Sequence, residues 1–159
     1  MFMRKSRLCI RNAIRADAPR LHELHTTSVR TLCSGHYAPE VVDGWLLDRR
    51  PQGYLSPIER GDIFVAEHGS RIVGFGEAVP GAVIAIYVDP IAVKRGVGSA
   101  IMRHALEIAQ CGHAGPIRLE ATLKAVGFYR HFGFHEVERS SVCRGQIAVP
   151  CVVMELDNS

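Results

Sequence analysis

The sequence contains no run of ~18 or more uncharged apolar residues, the length that a membrane-spanning helix requires. No membrane partner is expected on that ground. There is no Cys-x-x-Cys, and the five cysteines (Cys9, Cys33, Cys111, Cys143 and Cys151) are odd in number. The N-terminal stretch MFMRKSRLCIRNAIR is basic, but Arg11 and Arg15 interrupt any apolar signal core, so no secretory signal is read. Reduced thiols in a cytoplasmic protein are therefore expected rather than a disulfide framework. Internal repeats and low-complexity tracts are absent. A strong excess of charge is absent too: the formal net charge is +3, too mild for a nucleic-acid binder, which usually concentrates basic residues on one face. A small anionic ligand remains compatible. The histidines also lack metal spacing, because neither His22/His25 nor His131/His135 has a third ligand at a diagnostic interval. No metal is expected.

What is present is apolar bulk. Apolar residues make up 47% of 159 residues, enough for one domain (residues 1–159) with a real core, and disorder is not the default. Arg7–Ile14 alternates as a first strand. Asp17 is placed to cap the next helix, with Pro19 in its first turn and Leu21, Leu24, Ser28 and Leu32 on one face. A second short helix follows Pro39, and Ser56-Pro57-Ile58-Glu59 has the capping-box pattern of a helical turn. Asp62–Val79 reads as two strands joined at His68-Gly69-Ser70. Val83–Pro90 is nearly all apolar and reads as a central strand. A helix is expected over Gly96–Gln110, with Gly112 placed to end it. Then follow a strand over Ile117–Thr122, a short helix over Leu123–Phe132 stopped by Gly133, and closing strands over Phe134–Val142 and Ile147–Leu156. Pro150 lacks an N–H and is expected at an edge or a bulge. The order implies a mixed α/β fold around one sheet.

Two segments carry chemistry. In YVDPIAVKRGVGSAIM (Tyr87–Met102) a strand passes through a basic, glycine-containing connection into a helix. Helix N-termini expose unpaired N–H groups and partial positive charge. Gly96 and Gly98 leave those groups open to a phosphate, and Lys94 and Arg95 add formal charge. A plain strand-to-helix turn would use the same glycines. The P-loop pattern fails because no Lys follows Gly98, and the dinucleotide fingerprint fails because its third glycine position is Ile101. The second segment is LEATLKAVGFYRHFGF (Leu119–Phe134).

Together the two segments resemble the GNAT superfamily of N-acetyltransferases. The first resembles its pyrophosphate motif Gln/Arg-x-x-Gly-x-Gly/Ala, and the second its Ala-x-x-Phe-Tyr-x-x-x-Gly-Phe segment, here Ala125, Phe128, Tyr129, Gly133 and Phe134. Two positions depart from the pattern. Val93 stands where the family has Gln or Arg, with the cations displaced to Lys94 and Arg95. Thr122 and Lys124 stand where an Asn is often found before the Tyr. The resemblance implies a mainly antiparallel sheet of about seven strands, flanked by about four helices, with a splayed central strand pair.

It also implies direct transfer of an acetyl group from acetyl-CoA to a primary amine of a small molecule or peptide. The pyrophosphate would sit over Arg95, Gly96, Val97, Gly98 and Ser99, beside Lys94, with further cofactor contacts at Thr122, Ala125 and Phe128. Backbone N–H groups around Tyr87 and Val88 would serve the oxyanion. Tyr129 would protonate the departing thiolate, since a phenol titrating near ~10 keeps its proton at neutral pH. Glu77 or Glu120 would accept the amine's proton; Glu77 shares a face with Val73 and Phe75 and looks inward from a mainly apolar side. His36, Tyr37 and Trp45 fall where this superfamily varies its acceptor pocket. An exposed final strand would offer a homodimer contact. The alternative is a non-catalytic module that binds an acyl-CoA and regulates a partner.

Overall fold

A computed structural model describes residues 7–158. The reading of the extreme N-terminus as lacking a signal falls largely on residues outside that range. The described residues form the strands β1 (Leu8–Asn12), β2 (Ile63–His68), β3 (Arg71–Val79), β4 (Ala82–Val88), β5 (Ile117–Thr122), β6 (His135–Arg144) and β7 (Ile147–Leu156). The helices are α1 (Ala18–Leu32), α2 (Pro39–Leu46), α3 (Leu55–Glu59), α4 (Val97–Gln110) and α5 (Val126–His131), with short 3-10 turns between several elements. One sheet runs in the order β1-β2-β3-β4-β5-β7-β6. Every neighbouring pair is antiparallel except β4 and β5.

The β4–β5 pair decides the architecture. It is parallel and is joined only where Ala82 faces Arg118, near the start of both strands. Beyond that point the strands diverge, so the splayed central pair is present. β4 is fourth of the seven strands, as its apolar run implies. One core layer lies between the sheet and α4, where Ile101, Met102 and Ala105 pack against Phe64, Leu119 and Met154. Here α4 comes close to β3: a Cβ on Gly76 would stand 2.5 Å from the Phe64 ring and 2.8 Å from Ile101. A second layer lies under α1, where Leu21 and Leu24 meet Val65, Ile72 and Phe75.

Three local expectations are corrected. Asp17 does not cap α1; its carboxylate accepts from the Ile14 N–H at 2.8 Å and pairs with Arg11, so it closes the preceding turn. Ser56 does not start a capping box: a 3-10 turn over Pro51–Tyr54 runs straight into α3, and the Ser56 hydroxyl accepts instead from Arg60. Pro150 is on neither an edge nor a bulge, because β7 lies between β5 and β6. It is tolerated because β5 ends opposite Cys151. The Pro150 carbonyl accepts from the Tyr37 hydroxyl at 2.8 Å. A strand residue points its N and O to the same side, so the missing N–H falls in the gap beyond β5. The same order makes β6, not the final strand, the free edge at that end.

A buried acid anchors the loop into α4. Asp89 accepts from the Ile91 N–H (3.1 Å), Arg20 (2.9 Å) and Arg71 (3.3 Å). Burial raises its pKa, but these donors outweigh burial and hold it below the ordinary carboxylate value. Removing the carboxylate leaves the Ile91 N–H without its acceptor and takes the ion-pair partner from Arg20 and Arg71. Asp89→Ala should therefore lose about 2–4 kcal/mol of stability, and Asp89→Asn less, because an acceptor oxygen remains. Urea unfolding checks this through a lowered midpoint at unchanged m.

Candidate active site

The gap between β4 and β5 opens into a cavity of about 410 Å³, within the ~300–1,000 Å³ usual for small-molecule sites. Of the residues singled out in the sequence, Tyr87, Val88, Lys94, Gly96, Gly98, Ser99, Glu120, Thr122, Ala125, Phe128 and Tyr129 line it, together with Tyr37 and Trp45. Residues far apart in sequence thus meet in one space.

The α4 end leaves backbone donors open. Gly96 is the N-cap with φ +81°, and Lys94 holds the left-handed region at φ +67°. Such a conformation is uncommon for a residue with a side chain and tends to occur at functional sites. The first intrahelical bond runs from the Ala100 N–H to the Gly96 carbonyl at 3.1 Å. The N–H groups of Val97, Gly98 and Ser99 therefore have no helical acceptor. A Cβ on Gly98 would meet Phe128 and Val88 at 3.6 Å. Both line the cavity, so any larger side chain there enters it. Val93 lines the same end without charge.

The strand donors are sharper than expected. The Asp89 N–H bonds the Val73 carbonyl on β3 at 2.8 Å. By alternation along β4, the Tyr87 N–H also turns toward β3, whereas those of Ile86 and Val88 turn into the gap. Of the two donors named from the sequence, only Val88 opens on the cavity. The side chain of Tyr87 faces α1, stacked on His25 with ring centroids 4.0 Å apart. Tyr129 is buried among Phe128 and Phe134, at 5.3 Å and 6.1 Å between centroids. Its hydroxyl has no protein partner among the described residues, and burial raises its pKa above the ordinary tyrosine value.

Four positions fall outside the lining. His36 and Arg95 are exposed, while the Val97 side chain is buried in the core under α4 and leaves only its N–H. Glu77 pairs with Ile63 and Ala85, and its charged neighbours are Asp62 and Arg60. Burial raises its pKa, and Asp62 adds to the rise. The face-sharing with Val73 does not hold. A register shift at Ala66/Glu67 places Val73 in the α4 layer, while Phe75 is in the α1 layer. Glu120, by contrast, lines the cavity itself.

Several cavity neighbours had no motif to mark them. The Tyr37 hydroxyl accepts from the Leu123 N–H at 2.9 Å while donating to Pro150, tying the end of β5 to β7. Arg144 and the thiols of Cys33 and Cys151 also line the space; all five cysteines are free. His25 is 3% exposed. Its Nδ1 accepts from Arg49 at 2.9 Å and lies 2.7 Å from the Tyr54 hydroxyl. Arginine can only donate, so a neutral His25 carries its proton on Nε2, and that buried nitrogen has no partner among the described residues. Helical spacing with Leu21, Leu24 and Ser28 was the one sequence signal for it.

A family model described as an acetyltransferase (GNAT) domain matches residues 59–136. That span carries the splayed strands, the α4 seat and Tyr129. This chain belongs to the GNAT superfamily. The uncharacterized N-acetyltransferase YafP of Escherichia coli (strain K12) is 25% identical over 137 residues, which are 86% of this chain and 87% of that protein. A GCN5-related N-acetyltransferase from Rhodopseudomonas palustris superposes with a TM-score of 0.81 at 19% identity, covering 99% of both chains. The PaiA N-acetyltransferase of Thermoplasma acidophilum, solved with coenzyme A, gives 0.73 at 19% identity, covering 95% of this chain and 99% of that one. At that identity the likeness to these neighbours is one of fold. Among the described residues, no three His, Cys, Asp or Glu side chains cluster so as to hold a metal ion, and no helix is long and apolar enough to cross a membrane.

His25 makes this GNAT site sensitive to acid. Burial, reinforced by Arg49 and Arg144, depresses its pKa well below the ordinary 6.5. Above that value the group is neutral both folded and unfolded, so it contributes no pH dependence. Below it the unfolded chain binds a proton that the native chain refuses, and stability falls. Melting temperature should therefore drop as pH is lowered from 6.5. His25→Asn should melt lower at neutral pH but with a flatter slope in that window.

Proposed function

We propose that this protein transfers the acetyl group of acetyl-CoA directly to a primary amine of a small molecule or peptide. The observation that carries the reading is the meeting, in one cavity, of the open first turn of α4, the unpaired β4 backbone and the Tyr129 hydroxyl. GNAT membership and the coenzyme A bound by the PaiA neighbour support it.

In this reading the N–H groups of Val97, Gly98 and Ser99 hold the pyrophosphate, with Lys94 adding charge and Arg95 acting only at long range. The phosphate grip rests on backbone rather than on a side chain at Val93. Thr122, Ala125 and Phe128 border the pantetheine arm. The Val88 N–H, facing the gap, hydrogen-bonds the thioester oxygen as it gains negative charge. Tyr129 donates its proton to the departing thiolate; its burial keeps the phenol protonated across the working range. Glu120, which borders the same space, is the better placed proton acceptor, and Glu77 would have to act through water. Tyr37 and Trp45 shape the acceptor side.

Acetyl-CoA should raise the melting temperature, and free thiol should appear with some member of an amine panel. Binding without thiol from any amine would favour a non-catalytic acyl-CoA module, and no binding would remove both readings. Tyr129→Phe should retain acetyl-CoA binding and lose about 10²-fold or more in kcat. Glu120→Gln should lower kcat by about 10²-fold; an unchanged kcat there, with loss in Glu77→Gln, would transfer the role. Gly98→Val should raise the KM for acetyl-CoA, and an unaltered KM would remove the α4 turn from the phosphate site.

A further inference from the structure

One wall of the cavity carries a charge that acetyl-CoA chemistry leaves unused. It is formed by the end of α1, by α2 and by the β6–β7 hairpin, and most of its surface is apolar: Leu32, Trp45, Val142 and Val149. Arg144 stands in that wall. Its Nη1 donates to the neighbouring Cys143 carbonyl at 3.2 Å, and it has no carboxylate partner among the described residues. Arg11, Arg20, Arg30, Arg60, Arg71 and Arg130, by contrast, each meet a carboxylate.

The hairpin that carries Arg144 is held firmly. Gly145, at φ +57°, sits so close to α2 that an added Cβ would be 2.5 Å from the Gly44 carbonyl oxygen. Ile147 in turn covers Gly44, where an added Cβ would meet it at 2.9 Å. The guanidinium thus projects from a clamped turn, and the arrangement has the character of a pre-set binding group. Glu120 is the one carboxylate in the cavity lining. Both it and Arg144 act on Cys151, which lines the same cavity: burial raises its thiol pKa, Glu120 adds to the rise and Arg144 opposes it. Nearby, the buried Nε1–H of Trp45 also has no acceptor. The acceptor side therefore offers an apolar wall with Arg144 fixed on it, and the exposed Lys124 also borders the cavity.

We infer that the acceptor is an amine that also carries a carboxylate on an apolar body, with Arg144 gripping the carboxylate while the amine lies toward Glu120 and Tyr129. The inference rests on the acetyl-transfer reading for its chemistry, but not for its binding. Arg presents a planar fork that matches a carboxylate, so the preference should be large and should not be fully reproduced by Lys. An amine with a second positive charge would be repelled by Arg144.

The test uses amines that differ only in the carboxylate: L-leucine against 3-methylbutylamine, L-phenylalanine against 2-phenylethylamine, and 6-aminohexanoate against pentylamine. With acetyl-CoA saturating, thiol release should favour the acid by at least about tenfold in kcat/KM for one pair or more. Arg144→Gln should bring that ratio toward one through a higher KM for the acid, with Arg144→Lys recovering part of it. The KM for acetyl-CoA serves as the control for folding. If the decarboxylated amine is equal or better in every pair, or if the ratio survives Arg144→Gln, the inference is overturned while acetyl transfer stands. A second arm needs no turnover. Trp45 is the single tryptophan, so its fluorescence can report binding of N-acetyl-L-leucine or N-acetyl-6-aminohexanoate to the coenzyme A-saturated protein. Saturable quenching that is lost in Arg144→Gln supports the inference. Absence of a saturable response to either compound overturns it, whatever the activity.

Discussion

The divergence of β4 from β5 is the constraint on which the rest depends. A parallel pair in a sheet normally satisfies its backbone groups through an evenly spaced ladder. Here the ladder stops where Ala82 faces Arg118. Beyond it, β4 keeps β3 on one side and has no strand on the other. Buried backbone donors without partners are costly, so an opened sheet of this kind is suited to a ligand that supplies acceptors.

The surroundings hold the gap open. On one layer, the absence of side chains at Gly74 and Gly76 lets α4 settle on β3, with Ile101 filling the space a Cβ would need. On the other, the Tyr37 hydroxyl bonds both the Leu123 N–H and the Pro150 carbonyl. It occupies backbone groups that would otherwise seek a strand partner. Asp89 anchors the start of the connection into α4 through Arg20 and Arg71. The left-handed backbone of Lys94 and Gly96 completes the approach to the helix. The polar groups of the site are thus mostly backbone donors and side-chain cations, with Glu120 as the one acid in the lining.

Much of this was legible in the letters. The strand over Ile117–Thr122, the helix from Val97 and the hairpin at Gly69 follow from local periodicity and turn chemistry. The two motif segments point to one family because order and spacing are linear properties. Local rules failed where a distant partner claimed the group. Asp17 has the right type and place for a helix cap, yet Arg11 and the Ile14 N–H hold its carboxylate. Pro150 looked like an edge residue, yet an interior strand tolerates it because β5 stops one residue short. Val73 left its expected face because a bulge shifts the register, and bulges have no reliable mark in sequence.

The sequence by itself determined the succession of elements, the glycine-marked start of α4 and the buried tyrosine of α5, because each follows from neighbours along the chain. Only the tertiary structure decided which groups share the cavity. It placed Glu120 in the lining and Glu77 outside it, turned the Val88 N–H but not that of Tyr87 into the gap, and removed His36 and Arg95 from the lining while bringing in Cys33 and Arg144. The reason is physical. Strand alternation, register shifts and the docking of a hairpin on α2 determine which way a side chain faces, and each depends on contacts between segments remote in sequence.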